Sequence, residues 1–375
     1  MGYVAAVAGE ELIQRAADLF DAQRVVEDQE PVTLDQLDGQ LSRLTAQAMS
    51  EGGVYAPQLG ALAVKQAQGD TVEAAFLLRA YRSTLERWDE TATVEPDEMF
   101  AVRRVSPAFK DIPGGQILGP TKDYTQRLLD FDLADEERFE DPTADWEPDN
   151  TDTDPEPLGD VAALLREEGL VAAPEPPDGP PTDTTREPVG DDPDRAAVLQ
   201  ELARGETGAV TALGYSALRG YGDVHPTLAE VRVGRLPVRV EHPYTGDEAR
   251  VTDAEVTSAE AVVPVQEKRE TAQFALGYGL TFGRNERKAI AMTVLDAGIA
   301  LDTDAEPAED PEFVLDTIDP MDSFGFIEHL KLPHYVTFQS ILDRIRTLRA
   351  GDEPPPAGAA SGSGSGPDSE VTTDD

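Results

Sequence analysis

Val231-Arg232-Val233-Gly234-Arg235-Leu236-Pro237-Val238-Arg239-Val240 alternates branched apolar residues with polar ones. A period of two is the side-chain repeat of a strand. A second valine-rich stretch, Ala249 to Val265, follows after a loop containing His242 and Pro243, and the pair reads as antiparallel strands. Phe274 to Phe282 reads as a further strand, leading through Gly283 into a helix from Asn285 to about Ile299. Ala196–Arg204 and Ala209–Leu218 look helical.

Upstream, the pattern changes to helical period over Glu10–Val25 and again from Asp70. There Asp70-Thr71-Val72-Glu73 has the form of a capping box opening a helix toward Trp88. A third helix is expected over Asp123–Phe131, and Val4–Val7 reads as a short strand or a buried start. The fold class is therefore α+β, with a mainly helical N-terminal half and a C-terminal half of antiparallel strands and helices. Four segments are expected: a helical domain at 1–131, an acidic proline-rich flexible insert at 132–195, an α+β domain at 196–350 and a disordered tail at 351–375. The insert holds 22 acidic residues against four arginines and few large apolar side chains. One short amphipathic helix, Asp160–Leu170, stands out within it.

The chain of 375 residues carries 74 Asp plus Glu against 31 Lys plus Arg, a net charge of −43. Phosphodiester backbones and anionic membranes are repelled by such a surface, so neither nucleic acid nor membrane is an expected partner. Only six residues are lysine, and the acids are dispersed, a pattern that suits a cytosol of very high salt. Cysteine is absent, which excludes disulfides, thiolate catalysis and iron–sulfur ligation by this chain. Without a long apolar run or a charged leader at Met1-Gly2-Tyr3, a cytoplasmic location is expected.

Three stretches could carry chemistry. In His329-Leu330-Lys331-Leu332-Pro333-His334, proline forbids a continuous helix. His329 at a helix end and His334 beyond it can then converge on one metal ion. In Gly277-Tyr278-Gly279-Leu280-Thr281-Phe282-Gly283-Arg284-Asn285-Glu286-Arg287-Lys288, three cations crowd a helix N-terminus, where acids are the rule. An anion there would accept from free N–H groups and pair with Arg284, Arg287 and Lys288. In Lys110-Asp111-Ile112-Pro113-Gly114-Gly115-Gln116-Ile117-Leu118-Gly119-Pro120-Thr121-Lys122-Asp123, the glycines have the Walker A separation, but Pro120 stands where that motif needs lysine. Lys110 and Lys122 flank this loop, and Asp123 could orient Arg127 or act in proton transfer. Arg79 and Arg82 share a helix face and could reach phosphate or pair with Glu73 or Glu86. Arg219-Gly220-Tyr221-Gly222-Asp223-Val224-His225 suggests a pocket wall.

Taken together, these runs resemble the I subunit family of the carbon–phosphorus lyase core complex of phosphonate degradation. The resemblance is carried by Ala61-Leu62-Ala63-Val64-Lys65-Gln66-Ala67, Phe76-Leu77-Leu78-Arg79-Ala80-Tyr81-Arg82, Lys110–Gln116 with Leu118–Thr121, Gly277–Leu280, Glu286–Ala289 and His329–Val336. It covers 1–131 and about 196–347 and leaves out the insert and tail. It implies a nucleosidase-like transferase taking Mg-ATP as substrate. Adenine leaves C1′ and methylphosphonate takes its place, giving ribose 1-methylphosphonate 5-triphosphate. It also implies zinc on His329 and His334, shared with a partner, the G, H, J and L subunits as partners, and a homodimer within the complex. Such chemistry needs a phosphate cradle and a carboxylate, for which Lys110, Lys122, Arg127, Arg284, Arg287 and Lys288 and then Asp111 or Asp123 are the candidates. A scaffold that lends histidines to a radical partner, or a metal-dependent phosphohydrolase, are the rival readings.

The charge pattern makes a test independent of any site. Circular dichroism is expected to show loss of structure between about 3 M and about 50 mM KCl, because screening falls as the Debye length grows. Identical spectra would reject adaptation to salt.

Overall fold

The computed structural model describes residues 10–25, 29–134, 141–145, 159–171, 181–190, 193–221, 226–265, 273–301, 307–332 and 334–350. The stretches expected at Val4–Val7, Gly222–His225 and 351–375 lie outside them. The chain divides into two compact units, Arg24–Phe324 and the combination of Met1–Gln23 with Gly325–Asp375.

The larger unit begins with four helices: α2 (Leu34–Gln40), α3 (Ser42–Gly52), α4 (Pro57–Gln66) and α5 (Thr71–Arg82). Their shared core is Leu37, Ala48, Ala61, Ala63, Val64, Ala67, Ala74 and Leu78. Small side chains at these positions let the helices approach closely. Asp70 caps α5 as expected, its Oδ1 accepting from the N–H groups of Val72 and Glu73 at 3.0 and 3.1 Å. The helix stops at Arg82, well short of Trp88. The Ser83 and Thr84 hydroxyls turn back onto the carbonyls of Ala80 and Tyr81, a local competitor of helical bonding.

One antiparallel sheet follows, in the order β1 (Phe100–Val105), β2 (Thr227–Glu241), β3 (Glu248–Val265), β4 (Gln273–Phe282). The valine-rich hairpin is β2–β3, as the period-two pattern requires. Strand β1 has no apolar alternation, since Arg103 and Arg104 sit at its centre, and it pairs from Phe100↔Arg235 to Val105↔Val231. The sheet thus draws one strand from the segment expected to be helical. β1 reaches only to Arg235, and β4 pairs only with 256–265, so the far end of the hairpin continues as a two-stranded ribbon.

Helix α9 (Glu286–Ala300) lies across β3 and β4 and is buried on nearly all sides. Glycines in β4 make this possible. A Cβ on Gly277 would overlap the carbonyl oxygen of Thr293, and one on Gly279 that of Ala289. On the outer side of α9, α7 (Arg195–Arg204), α8 (Thr207–Ser216) and α10 (Pro311–Ile318) close a core of Leu202, Val210, Met292, Leu295, Val314 and Ile318. Within the expected insert, α6 (Val161–Glu167) does form. Its Val161 and Leu165 are buried with Ile112, Val171, Ala229 and Val262.

The helix expected over Asp123–Phe131 is absent, and residues 126–130 have no regular structure. Leu128, Leu129 and Phe131 are all exposed, so no apolar face rewards helix formation. In the smaller unit, α1 (Glu10–Ala22) has no buried residue, and α12 (Tyr335–Ala350) shows solvent Phe338, Ile341, Ile345 and Leu348. Among the described residues no helix is long and apolar enough to cross a membrane.

The contact between β4 and α9 yields a direct test. Gly279→Ala is expected to cost about 3 kcal/mol in chemical denaturation, because backbone must move to admit the methyl group. Gly190→Ala, where the added methyl meets nothing, should stay within about 0.5 kcal/mol. Equal stabilities would refute the close approach.

Candidate functional site

The turn from β4 into α9 and the glycine-rich loop after β1 meet in one charged cluster. Gly119 has a positive φ and lies so close to β1 that a Cβ would meet the Val102 carbonyl. Ile117 exchanges both backbone hydrogen bonds with Arg104, at 2.7 and 2.8 Å. The loop is therefore stitched along β1, and Asp123 arrives beside Arg103. Arg103 donates to Asp123 Oδ2 at 2.6 Å, to Glu286 Oε2 at 3.2 Å and to the Leu118 carbonyl at 2.6 Å. Arg127 donates to the other oxygen of Asp123 at 2.5 Å. Arg284 pairs with Glu286 at 3.2 Å and reaches the Pro120 carbonyl. The Asp123 carboxyl is held below its usual range by the Thr121 hydroxyl and then by Arg103, Arg127 and Arg284. It is ionised at neutral pH, so it accepts hydrogen bonds and orients cations.

Of the residues singled out in the sequence, the structure thus brings Asp123, Arg127 and Arg284 together. Lys110, Asp111, Lys122 and Arg287 are exposed, and none of the four has a side-chain hydrogen bond or ion pair among the described residues. Lys288 points the other way. It is fully buried, donating to the carbonyls of Ala203 and Gly205 at 2.7 Å each, and burial lowers its ammonium to about 8. The expectation that it joins an open cradle fails physically, because its donors satisfy the C-terminal end of α7. Arg79 and Arg82 likewise serve helix ends. Arg79 donates to the carbonyls of Glu51 and Arg204 and to Asp319, and Arg82 to that of Gly53, rather than pairing with Glu73 or Glu86. Arg103 was not legible as a site residue, its only signal being a charge inside a short strand.

The opposite face of the sheet buries a second network. Arg232 forks onto Glu230 at 2.6 and 3.0 Å, and Arg104 also donates to Glu230. Arg104 and Arg232 both donate to the Gly159 carbonyl, and the Val161 N–H donates to Glu230 at 3.3 Å, which docks the start of α6. Asp160, Glu230 and Glu260 place one oxygen each within 4.8 Å of one another. Such a triad could hold a hard divalent cation, although Arg104, Arg166 and Arg232 already balance its charge. Burial, then the charge of Asp160, pushes the Glu260 carboxyl up to about 8, so it is protonated and bonded to Asp160. Burial also raises the neighbouring Tyr278 hydroxyl to about 12. The cavity among these groups is only about 10 Å³, room for at most one water.

In the smaller unit, a short 3₁₀ turn His329–Lys331 ends in extended Leu332, so the histidines do leave helical spacing. Their rings lie 5.5 Å apart, centroid to centroid, and both are exposed. Each Nδ1 faces a backbone carbonyl, His329 that of Phe326 at 2.5 Å and His334 that of Leu332 at 2.6 Å. A carbonyl can only accept, so in the neutral ring the proton sits on Nδ1 and Nε2 carries the free lone pair. That is the usual way a protein presents imidazole to a metal, and the donor set fits zinc. Among the described residues no third carboxylate or imidazole joins the pair.

Residues 2–352 match the family described as "Bacterial phosphonate metabolism protein (PhnI)". The chain is 42% identical over 368 residues to the alpha-D-ribose 1-methylphosphonate 5-triphosphate synthase subunit PhnI of Rhizobium meliloti (strain 1021), covering 96% of this chain and 98% of that protein. It is 40% identical over 353 residues to the subunit of the same name from Escherichia coli (strain K12), covering 92% and 98%. A putative C-P lyase subunit protein, HtxH, of Stutzerimonas stutzeri is 46% identical over 387 residues, covering 96% and 100%.

The protonated Glu260 gives the network a pH signature. A carboxyl raised in the folded state stabilises fully below its unfolded value, and that stability is lost as pH rises through about 8. Asp160 is held low, against its burial, by hydrogen bonds from Glu260 and Ala162 and by Arg166, and matters only at acid pH. Between about pH 5 and 8 the Tm of the protein should therefore fall more than that of Glu260→Gln, by on the order of 5 °C. Parallel curves would show that Glu260 is ionised.

Proposed function

Because this chain belongs to the PhnI family of bacterial phosphonate metabolism proteins, we propose that it displaces adenine from ATP with methylphosphonate. The product is alpha-D-ribose 1-methylphosphonate 5-triphosphate, the compound in the name of the two relatives. A phosphonate oxygen forms a bond to C1′ as the bond from C1′ to the adenine nitrogen breaks, and adenine leaves with a proton. Positive charge develops on the ribose ring between the two events. The observation that carries this reading is the guanidinium cluster of Arg103, Arg127 and Arg284 around Asp123, set in a strongly acidic chain. Guanidinium forks suit phosphate oxygens, and a triphosphate can take the donors left over from Asp123 and Glu286. Lys110 and Lys122 on the exposed loop, and Arg287 on the first turn of α9, supply further positive charge. Asp123, ionised, orients the arginines and can stabilise the ribosyl cation. Asp111 is the exposed carboxyl available to the departing base.

His329 and His334 would hold zinc through Nε2, completing the shell with groups from another subunit. Bound there, the metal supplies a Lewis-acid charge. With no third ligand among the described residues, assembly with partners is favoured, for which the G, H, J and L subunits and a second copy of this chain are proposed. The acidic surface fits a cytoplasm rich in salt, with Mg-ATP as the form of the substrate.

The test is adenine release from Mg-ATP and methylphosphonate by the chain with its partner subunits in high salt. Arg127→Ala and Arg284→Ala should each raise KM for ATP about tenfold, the worth of one charge-assisted contact, with kcat changed less than about threefold. An unchanged KM would remove the cluster from the site. Release of phosphate in place of adenine would indicate a hydrolase, and no release would leave a scaffold.

A further inference from the structure

Another cavity lies elsewhere in the larger unit. It is an open groove of about 490 Å³ where the β2–β3 ribbon leaves the sheet, lined by Glu98, Phe100, Arg235, Pro237, Arg239, Arg250 and Asp253. Its volume is that of a small-molecule site. Three guanidinium groups meet two carboxylates there, so the groove keeps a positive excess within a chain of net charge −43.

The arginines are not equivalent. Arg239 is held by both oxygens of Glu98, and Arg250 by both oxygens of Asp253. Each pairing engages two of five N–H donors and leaves three. The carboxylates thus hold the guanidinium groups in fixed directions while donors stay free. Arg235 is exposed, and its side chain has no hydrogen bond or ion pair among the described residues. Directly across the ladder from it is Phe100, a residue 73% exposed on edge strand β1. A free guanidinium, two oriented ones and a bare aromatic face are the elements that grip a phosphate and stack a base.

The ladder also fixes what adjoins the groove. Phe100 pairs with Arg235 and Arg103 with Val233, two positions along β2, so both project from the same face of the sheet. The groove and the Arg103–Asp123–Arg284 cluster are neighbours on that face.

We infer that this groove binds a nucleoside polyphosphate, with the base against Phe100 and phosphate oxygens on Arg235 and the free donors of Arg239 and Arg250. The assignment adds residues for the nucleotide to the reading above and rests on it for the identity of the ligand.

Binding of ATP, tripolyphosphate and adenosine to the full chain would be followed by calorimetry, in salt that keeps it folded. Arg235→Ala should weaken ATP and tripolyphosphate about tenfold each. Phe100→Ala should weaken ATP and adenosine about tenfold and leave tripolyphosphate unchanged. Both residues are exposed, so circular dichroism should not change. If both variants bind ATP as the unsubstituted chain does, or if it binds no ATP, the inference is overturned. Unaltered adenine release by the two variants would also overturn it while sparing the proposed reaction. ATP binding weakened by Arg235→Ala, with no adenine release from any form, would uphold the groove and reject the reaction.

Discussion

Arg104 is the group on which the fold turns. It sits fully buried in β1 and donates to Glu230 on β2, to the Pro113 carbonyl in the glycine-rich loop and to the Gly159 carbonyl at the start of α6. Three stretches far apart in sequence, β1 with its following loop, the start of α6 and β2, are held by one side chain. Burying a guanidinium costs several kcal/mol, repaid only when its donors all find acceptors. Here Glu230 supplies the charge and the carbonyls supply the rest. Arg232 repeats the device beside it, taking Glu230, Gly159 and Pro96. The loop carrying Asp123 and the helix from the acidic segment are thus ordered by a polar core as much as by apolar burial.

The neighbour of Arg104 does the opposite job. Successive residues of a strand face opposite sides, so Arg103 emerges on the α9 side, where it meets Asp123 and Glu286. One dipeptide on an edge strand anchors a buried network on one face of the sheet and a charged cluster on the other. The few cations of this protein divide along that line. Arg79, Arg104, Arg232 and Lys288 terminate helices and dock loops from inside, whereas Arg127, Arg235, Arg239 and Arg250 remain within reach of a solute.

The hairpin, helix α9 and the cap at Asp70 were legible in the sequence because each follows a local rule of periodicity or capping. Strand β1 was not, because its polar centre is paid for by Glu230 and Glu286, more than a hundred residues away. The helix expected after Asp123 is missing for a reason nearer in sequence. Its aspartate reads as an N-cap, but Arg103 and Arg127 take the carboxylate that capping would use. Lys288 was misread in the same sense. Sequence places it on the first turn of a helix, and only the fold shows that turn aimed at the carbonyls of Ala203 and Gly205. The departure of the two histidines from helical spacing was readable because proline cannot continue a helix, whereas the orientation of each Nδ1 depends on where the backbone carbonyls fall.

Loss of a purine from an anomeric carbon calls for a proton donor, and the carboxyl groups of this chain divide reach from protonation. Glu260 carries a proton at neutral pH but is closed in with Asp160 and Tyr278 around a space no larger than one water. Asp123 faces solvent but is stripped of its proton by a hydroxyl and three guanidinium groups. The same cations that would draw in a triphosphate therefore disqualify the nearest carboxylate as an acid. Opposite demands on one carboxylate are ordinarily met by two groups in two environments. In the proposed reaction, the group that steadies a ribosyl cation must then differ from the group that hands over the proton. The donor must stand outside the arginine cluster, on this chain or on a partner subunit.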